Sequence, residues 1–288
     1  MSSENPENLV IASEPPGSDV PAATTTADSS LATPPPPAAA TAAEGMHSVE
    51  LSAEDIVAMD ICTTAGRIVV DSHDQPRIIV YVMNHDPALS QLDVAVKGDT
   101  IHIEIKHLVN PRWLWSRRKT CATSLRVMCP RGLLVSARSG SGDIRIIGAT
   151  EDVDVETQSG NVVLEGLTGN VAVRAGTGSV TGDAPCESLE IATESGDTKV
   201  SGLAGSLAYK SSSGELRAAW SRVPVAGKVD IKTGKGSVSL QMPADTRLNY
   251  RFITGPTPIM NEFEHDPLAA FRLNIVARSG GLSVRKAR

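Results

Sequence analysis

The sequence predicts an all-β protein, a parallel β-solenoid built from 18-residue coils of two short strands each. An N-terminal hairpin-bearing β region precedes the coils, and a disordered tail precedes that. Three observations carry the prediction. Gly142, Gly160, Gly178, Gly196 and Gly214 stand 18 residues apart. Apolar residues keep step with them at every second position, which is the period of a strand. No apolar run of helical period is longer than about two turns. Composition agrees, because aromatic residues make up 3% of the chain and glycine contributes 24 residues. The core must be aliphatic and the turns many.

Residues 1–45 come first and are rich in Pro, Ala, Thr and Ser, including "TPPPPAAATAA". Such a segment has too little apolar surface to offset its ordering entropy, so it is expected to be disordered. It holds six acids (Glu4, Glu7, Glu14, Asp19, Asp28 and Glu44) and neither Lys nor Arg. The formal charge of −6 therefore belongs to this tail, and the body is neutral. A neutral body gives no electrostatic reason to expect nucleic acid. Residues 46–288 are read as one solenoid domain, with a lead-in β region at 46–138 and the repeat coils at 139–288.

The lead-in region alternates as strands do, in "RIVV", "RIIVYV", "LDVAV" and "TIHIEI". Lys97-Gly98-Asp99-Thr100 joins the last two, which predicts an antiparallel hairpin. Gly66 in "TAGRIVV" reads as an early copy of the repeat corner. From Ser139 the repeat is continuous. Two positions after each glycine stand Ile144, Val162, Val180, Thr198 and Leu216; eleven positions after stand Val153, Val171, Leu189 and Leu207. Each unit is two half-coils, a turn and a short strand apiece. A step of 22 leads to Gly236 and one of 44, read as two coils, to Gly280. A lone unit cannot bury enough surface to fold, and stacking supplies what it lacks. The glycines mark corners where a positive φ is expected.

One segment breaks the pattern. "NPRWLWSRRKT", Asn110 to Thr120, sets Trp113 and Trp115 beside Arg112, Arg117, Arg118 and Lys119. Indoles next to cations suit a protein partner or an anionic membrane surface. The same loop could instead cap an open solenoid end. A solenoid with open ends could also associate end to end.

Four cysteines in a chain of 288 residues do not make a disulfide framework. Cys121 and Cys129 share the parity of Thr123, Leu125 and Val127, as apolar fillers of one strand face. "MSSENPENLV" lacks the basic start and apolar run of a secretory signal, and no stretch is long enough to span a membrane. The expected location is cytoplasmic, with membrane-peripheral as the alternative.

Several of these stretches together resemble a known family. The hairpin "LDVAVKGDTIHIEIK", the strand "SLRVMCPRGLLVSARSGSGDIRI", the serial units of Ser-Gly-Asp/Asn followed by alternating apolar residues, and the closing "RSGGLSVRK" are similar to the bacterial putative-adhesin family. The resemblance covers roughly residues 49–288. It implies a β-strand-repeat domain of unassigned function, a β-solenoid fold, and a cell-envelope or surface-binding context.

Chemistry is sparser. The nine-residue calcium roll needs an Asp two residues after a glycine, where this chain has Ile144, Val162 or Val180. Residues just after the glycines (Asp143, Asn161, Ser179, Asp197, Glu215) form a polar column that suits turns and could also face a cation or sugar. Asp152, Asp154 and Glu156 share an outward parity, but the next coil offers Asn170, Ala172 and Arg174, so no acidic cluster grows. The six histidines are scattered, and His102, between Ile101 and Ile103, faces solvent. No cofactor or metal is called for. The expected function is a non-enzymatic scaffold or binding module, in a cell-envelope context. The alternatives are a carbohydrate-active β-helix enzyme and a self-assembling filament former.

Overall fold

The computed structural model describes residues 47–84, 90–107 and 123–287. The tail, the Asn110–Thr120 loop and Cys121 lie outside the described residues. The chain divides into two units, Met1–Glu44 and Gly45–Arg288, and the second holds all of the described residues.

Every described element is a strand. The first seven are β1 (His47–Ser52), β2 (Ala58–Ala65), β3 (Ile68–His73), β4 (Arg77–Met83), β5 (Ser90–Lys97), β6 (Thr100–His107) and β7 (Ser124–Pro130). The repeats give β8 (Leu134–Ser141), β9 (Ile144–Ile147), β10 (Val153–Ser159), β11 (Val162–Glu165), β12 (Asn170–Thr177) and β13 (Val180–Asp183). They continue with β14 (Ser188–Ser195), β15 (Thr198–Leu203), β16 (Ser206–Ser213), β17 (Leu216–Trp220), β18 (Gly227–Lys235) and β19 (Val238–Met242). The last four are β20 (Asn249–Thr254), β21 (Ile259–Asn261), β22 (Phe271–Ser279) and β23 (Leu282–Lys286).

These strands form two sheets, of twelve and eleven strands, here sheets A and B. Each coil runs through a strand of sheet B, turns a corner, and returns through a strand of sheet A. In the repeats the register advances by one unit per coil, so Val162 pairs with Val180 and Val153 with Val171. Inward residues therefore stack on their own equivalents. Val135, Val153, Val171, Leu189 and Leu207 form one fully buried column of the aliphatic core. Each such side chain is worth about 1.5–3 kcal/mol when removed from water. The ladder also continues through the corner, where Gly160 N donates to Thr177 O and Gly178 N to Ser195 O.

The corner explains the glycines by crowding as much as by backbone angle. Gly178 has φ +134°, and a Cβ there would overlap the carbonyl oxygen of Gly160 on the neighbouring coil. The expectation of positive φ fails at Gly160 itself, which lies outside the left-handed region. Close approach alone holds it, because its Cβ would overlap the Gly142 carbonyl.

The two ends depart from simple chain order. At the N-terminal end, β2 pairs with β8 across a gap that the chain fills elsewhere, Met59 opposite Val135. The coils thus begin well before Ser139, with β2 and β3. Beyond them lie β6 and β7, parallel to β2 and β3, then antiparallel strands β5 on one sheet and β4 and β1 on the other. The expected hairpin is β5–β6, with Lys97 opposite Thr100. At the C-terminal end the 44-residue step is one coil, not two. Val238 pairs directly with Leu282, and Val229 with Leu273. Residues between them go outward to form β20 and β21, and the chain then returns to insert β22 and β23 inside. Hydrophobicity accounts for the swap. Phe271, Leu273 and Ile275 are buried, whereas Tyr250 and Phe252 of β20 are half-buried and stack with centroids 4.7 Å apart over the end.

Candidate binding face

Side chains that alternate with the core on sheet B point outward, and parallel register lines them up in rows. One row reads His102, Asp60, Ser136, Asp154, Ala172, Glu190 across β6, β2, β8, β10, β12 and β14. The next reads Glu104, Cys62, Arg138, Glu156, Arg174, Ala192. In the first row, acids from Asp60 on alternate with small residues. In the second, Arg138 and Arg174 recur every second coil. A groove of about 580 Å³ runs over this face, with Ala58, Ser136 and Ala172 among its lining residues beside Asp60, Asp154, Arg138 and Arg174.

The central charges here are matched. Arg138 bridges Asp60 at 3.3 Å and Glu156 at 3.8 Å, and Arg174 holds Asp154 at 2.7 Å. Exposed pairs of this kind add little stability, but together they fix the walls' side chains in place. His102 Nδ1 lies 3.4 Å from Asp60. Cys62 lies within this cluster, yet burial and the nearby Glu104 and Asp60 push its thiol up, against Arg138. A raised thiol disfavours the thiolate, the nucleophilic form, and the His102 ring is turned to Asp60. Cys129 and Cys186 are buried and pushed up to about 11 by that burial.

The corner column is occupied by its own stack. Asp143 Oδ1 accepts from Asn161 N at 3.0 Å, Asn161 Oδ1 from Ser179 N at 3.0 Å, and Asp197 Oδ1 from Glu215 N at 2.9 Å. Asp152 does the same for Asn170 N at the opposite corner. These acceptors join coils instead of facing a ligand. Among the described residues no cluster of three or more His, Cys, Asp or Glu could hold a metal ion. No helix among them is long and apolar enough to cross a membrane.

Of the residues singled out in the sequence, Gly66, Gly142, Gly160, Gly178, Gly196, Gly214, Gly236 and Gly280 form one continuous column, each after Gly66 lying against the carbonyl of the one before. The contact-loop residues Arg112, Trp113, Trp115, Arg117, Arg118 and Lys119 lie outside the described residues. The groove was missed, because reading one coil against the next sees Asp154 followed by Ala172 and stops. A double period would have shown it, since Arg138 and Arg174 stand 36 residues apart, as do Asp154 and Glu190.

Comparison with known proteins agrees with this architecture. The family described as Toastrack DUF4097 matches residues 56–255. A solved structure from Bacteroides fragilis, described as a putative adhesin, is 16% identical, covers 85% of this chain and 98% of its own, and superposes with a TM-score of 0.51. A putative cell adhesion protein from Clostridium sporogenes is 10% identical, with coverage of 84% and 99% and a TM-score of 0.33. A putative adhesin from Parabacteroides merdae is 11% identical, with coverage of 85% and 97% and a TM-score of 0.26. The Bacteroides fragilis likeness shows a common fold. No curated protein matches the chain.

Proposed function

The chain belongs to the Toastrack DUF4097 family, and on that premise we propose that it is a non-enzymatic binding module of the cell envelope whose contact surface is the outer face of sheet B. The observation that carries this reading is the groove over β2, β8, β10 and β12. Its polar side chains are held in ladder register, Asp60 and Asp154 are paired with Arg138 and Arg174, and its small residues leave room for a ligand. Repeating donors and acceptors on a rigid face suit an extended polar polymer, a glycan or an unfolded peptide, laid along the coils. Asp60 and Asp154 are engaged by Arg138 and Arg174, which supports a binding role for these carboxylates over a hydrolytic one.

Ala172→Arg, which fills the groove, provides the test. Soluble oligosaccharides and extended peptides would be titrated against wild type and variant, with product release monitored in parallel. We expect one class to bind wild type unchanged and to lose at least about tenfold on the variant, a 1.4 kcal/mol change. Binding indifferent to Ala172→Arg, or release of reducing sugar by wild type, contradicts the reading.

A further inference from the structure

Sheet B changes character beyond β14. On β16, β18, β22 and β20 the exposed side chains include Lys210, Lys228, Lys232, Lys235, Arg251, Arg272 and Arg278, and the outward positions carry one acid, Asp230. Lys228 ion-pairs with Asp230, and none of the other six has an ion-pair partner among the described residues. Burial pushes the Asp230 carboxyl up, but its bonds to Lys228 and Asn274 outweigh that and hold it below the ordinary value, so it stays charged and already engaged.

Register makes this costly. Lys210 sits directly opposite Lys232, and Lys228 opposite Arg272. Adjacent strands are about 4.8 Å apart, and like charges facing each other across a ladder repel. Across β2 to β12 of the same sheet, Arg138 and Arg174 are set against acids, and the one facing acid pair beyond them, Asp93 and Glu104, is bridged by Lys106. The strands beyond β14 keep their facing cations. A surface that retains self-repelling cations is one whose charge is relieved by an anion from outside.

Two apolar residues stand beside these cations. Val225 is 91% exposed and Leu268 is 88% exposed. Both sit in the loops that lead into β18 and β22, strands paired from Gly227 opposite Phe271, so they occupy the same corner on neighbouring coils. They lie three and four positions before Lys228 and Arg272, respectively, in the chain. A soluble polyanion has no use for exposed aliphatic tips. A lipid surface does, because they can enter the acyl boundary while cations meet the headgroups.

We propose that this corner and the basic face beside it dock on an anionic lipid bilayer. The proposal rests on the binding-module reading and adds a second surface, separate from the groove. The full chain would be sedimented with phosphatidylcholine vesicles with and without phosphatidylglycerol, at low and high salt. Wild type should bind the anionic vesicles only, and more weakly as salt shortens electrostatic reach. Lys232→Gln with Arg272→Gln should weaken binding on the order of tenfold, given the usual contribution of each basic residue near such a surface. Val225→Ser with Leu268→Ser should weaken it further at high salt, where insertion dominates. Ala172→Arg should bind vesicles as wild type does, which separates failure here from failure of the groove. The proposal is overturned by any of three results: no binding to anionic vesicles; binding that Trp113→Ala with Trp115→Ala abolishes while the face variants leave it intact; or binding of soluble polyphosphate without vesicles.

Discussion

At Gly160 the demand on a single residue is steric. The backbone is outside the left-handed region, yet no Cβ fits against the Gly142 carbonyl. Gly160→Ala should therefore cost about 1–3 kcal/mol, the range for forcing atoms into a packed site. Gly132→Ala, with open space around it, should cost little, and urea midpoints of the two variants compare them directly. Equal midpoints would mean that the corner column tolerates side chains. Asp143 makes a different demand. The Asn161 backbone N–H and then the Arg67 guanidinium hold its carboxyl below the ordinary value, against the effect of burial. A depressed folded pKa favours the folded state above the ordinary carboxylate value of about 3.9, and that contribution is lost as pH falls through the folded value. Asp143→Asn keeps an acceptor but does not titrate. Its stability should fall less steeply than wild type's as pH drops from about 5 to 2, measured by denaturant midpoints at each pH. Parallel slopes would show that this carboxyl is not coupled to folding.

At the scale of elements, the sequence spoke clearly wherever the repeat was regular. Every 18-residue step from Gly142 to Gly214 became one coil, and the alternation around Lys97–Thr100 became the β5–β6 hairpin. It was silent on spatial order. Nothing in "NYRFIT" or "FRLNIVARS" states that the later strand lies inside the earlier one, since that follows from which coil buries better once both compete for the same edge. The candidate groove was hidden for a related reason. Core positions repeat every coil, because every coil faces the same interior. Along the groove, charges of one sign repeat every second coil, an arrangement that keeps like charges off adjacent strands, and a comparison of nearest neighbours reads that as absence of pattern. The basic stretch on β16, β18 and β22 violates this alternation and stands out only when strands are set side by side.

For the whole molecule, the proposed binding face requires a continuous parallel stack, rigid enough to present rows of side chains in register, with its last two coils exchanged in order. Each inner coil has a ladder on both sides, and an end coil has one. Amide hydrogen exchange, which reports local opening, reads this stack coil by coil and tests it most directly. The predicted result is slow exchange from β8 to β19 and in β22 and β23, with faster exchange in β20 and β21 although they come earlier in the chain. Protection that instead fell steadily from β19 to Lys286, or was lost in the central coils, would contradict both the exchanged order and the rigid face on which the proposed function rests.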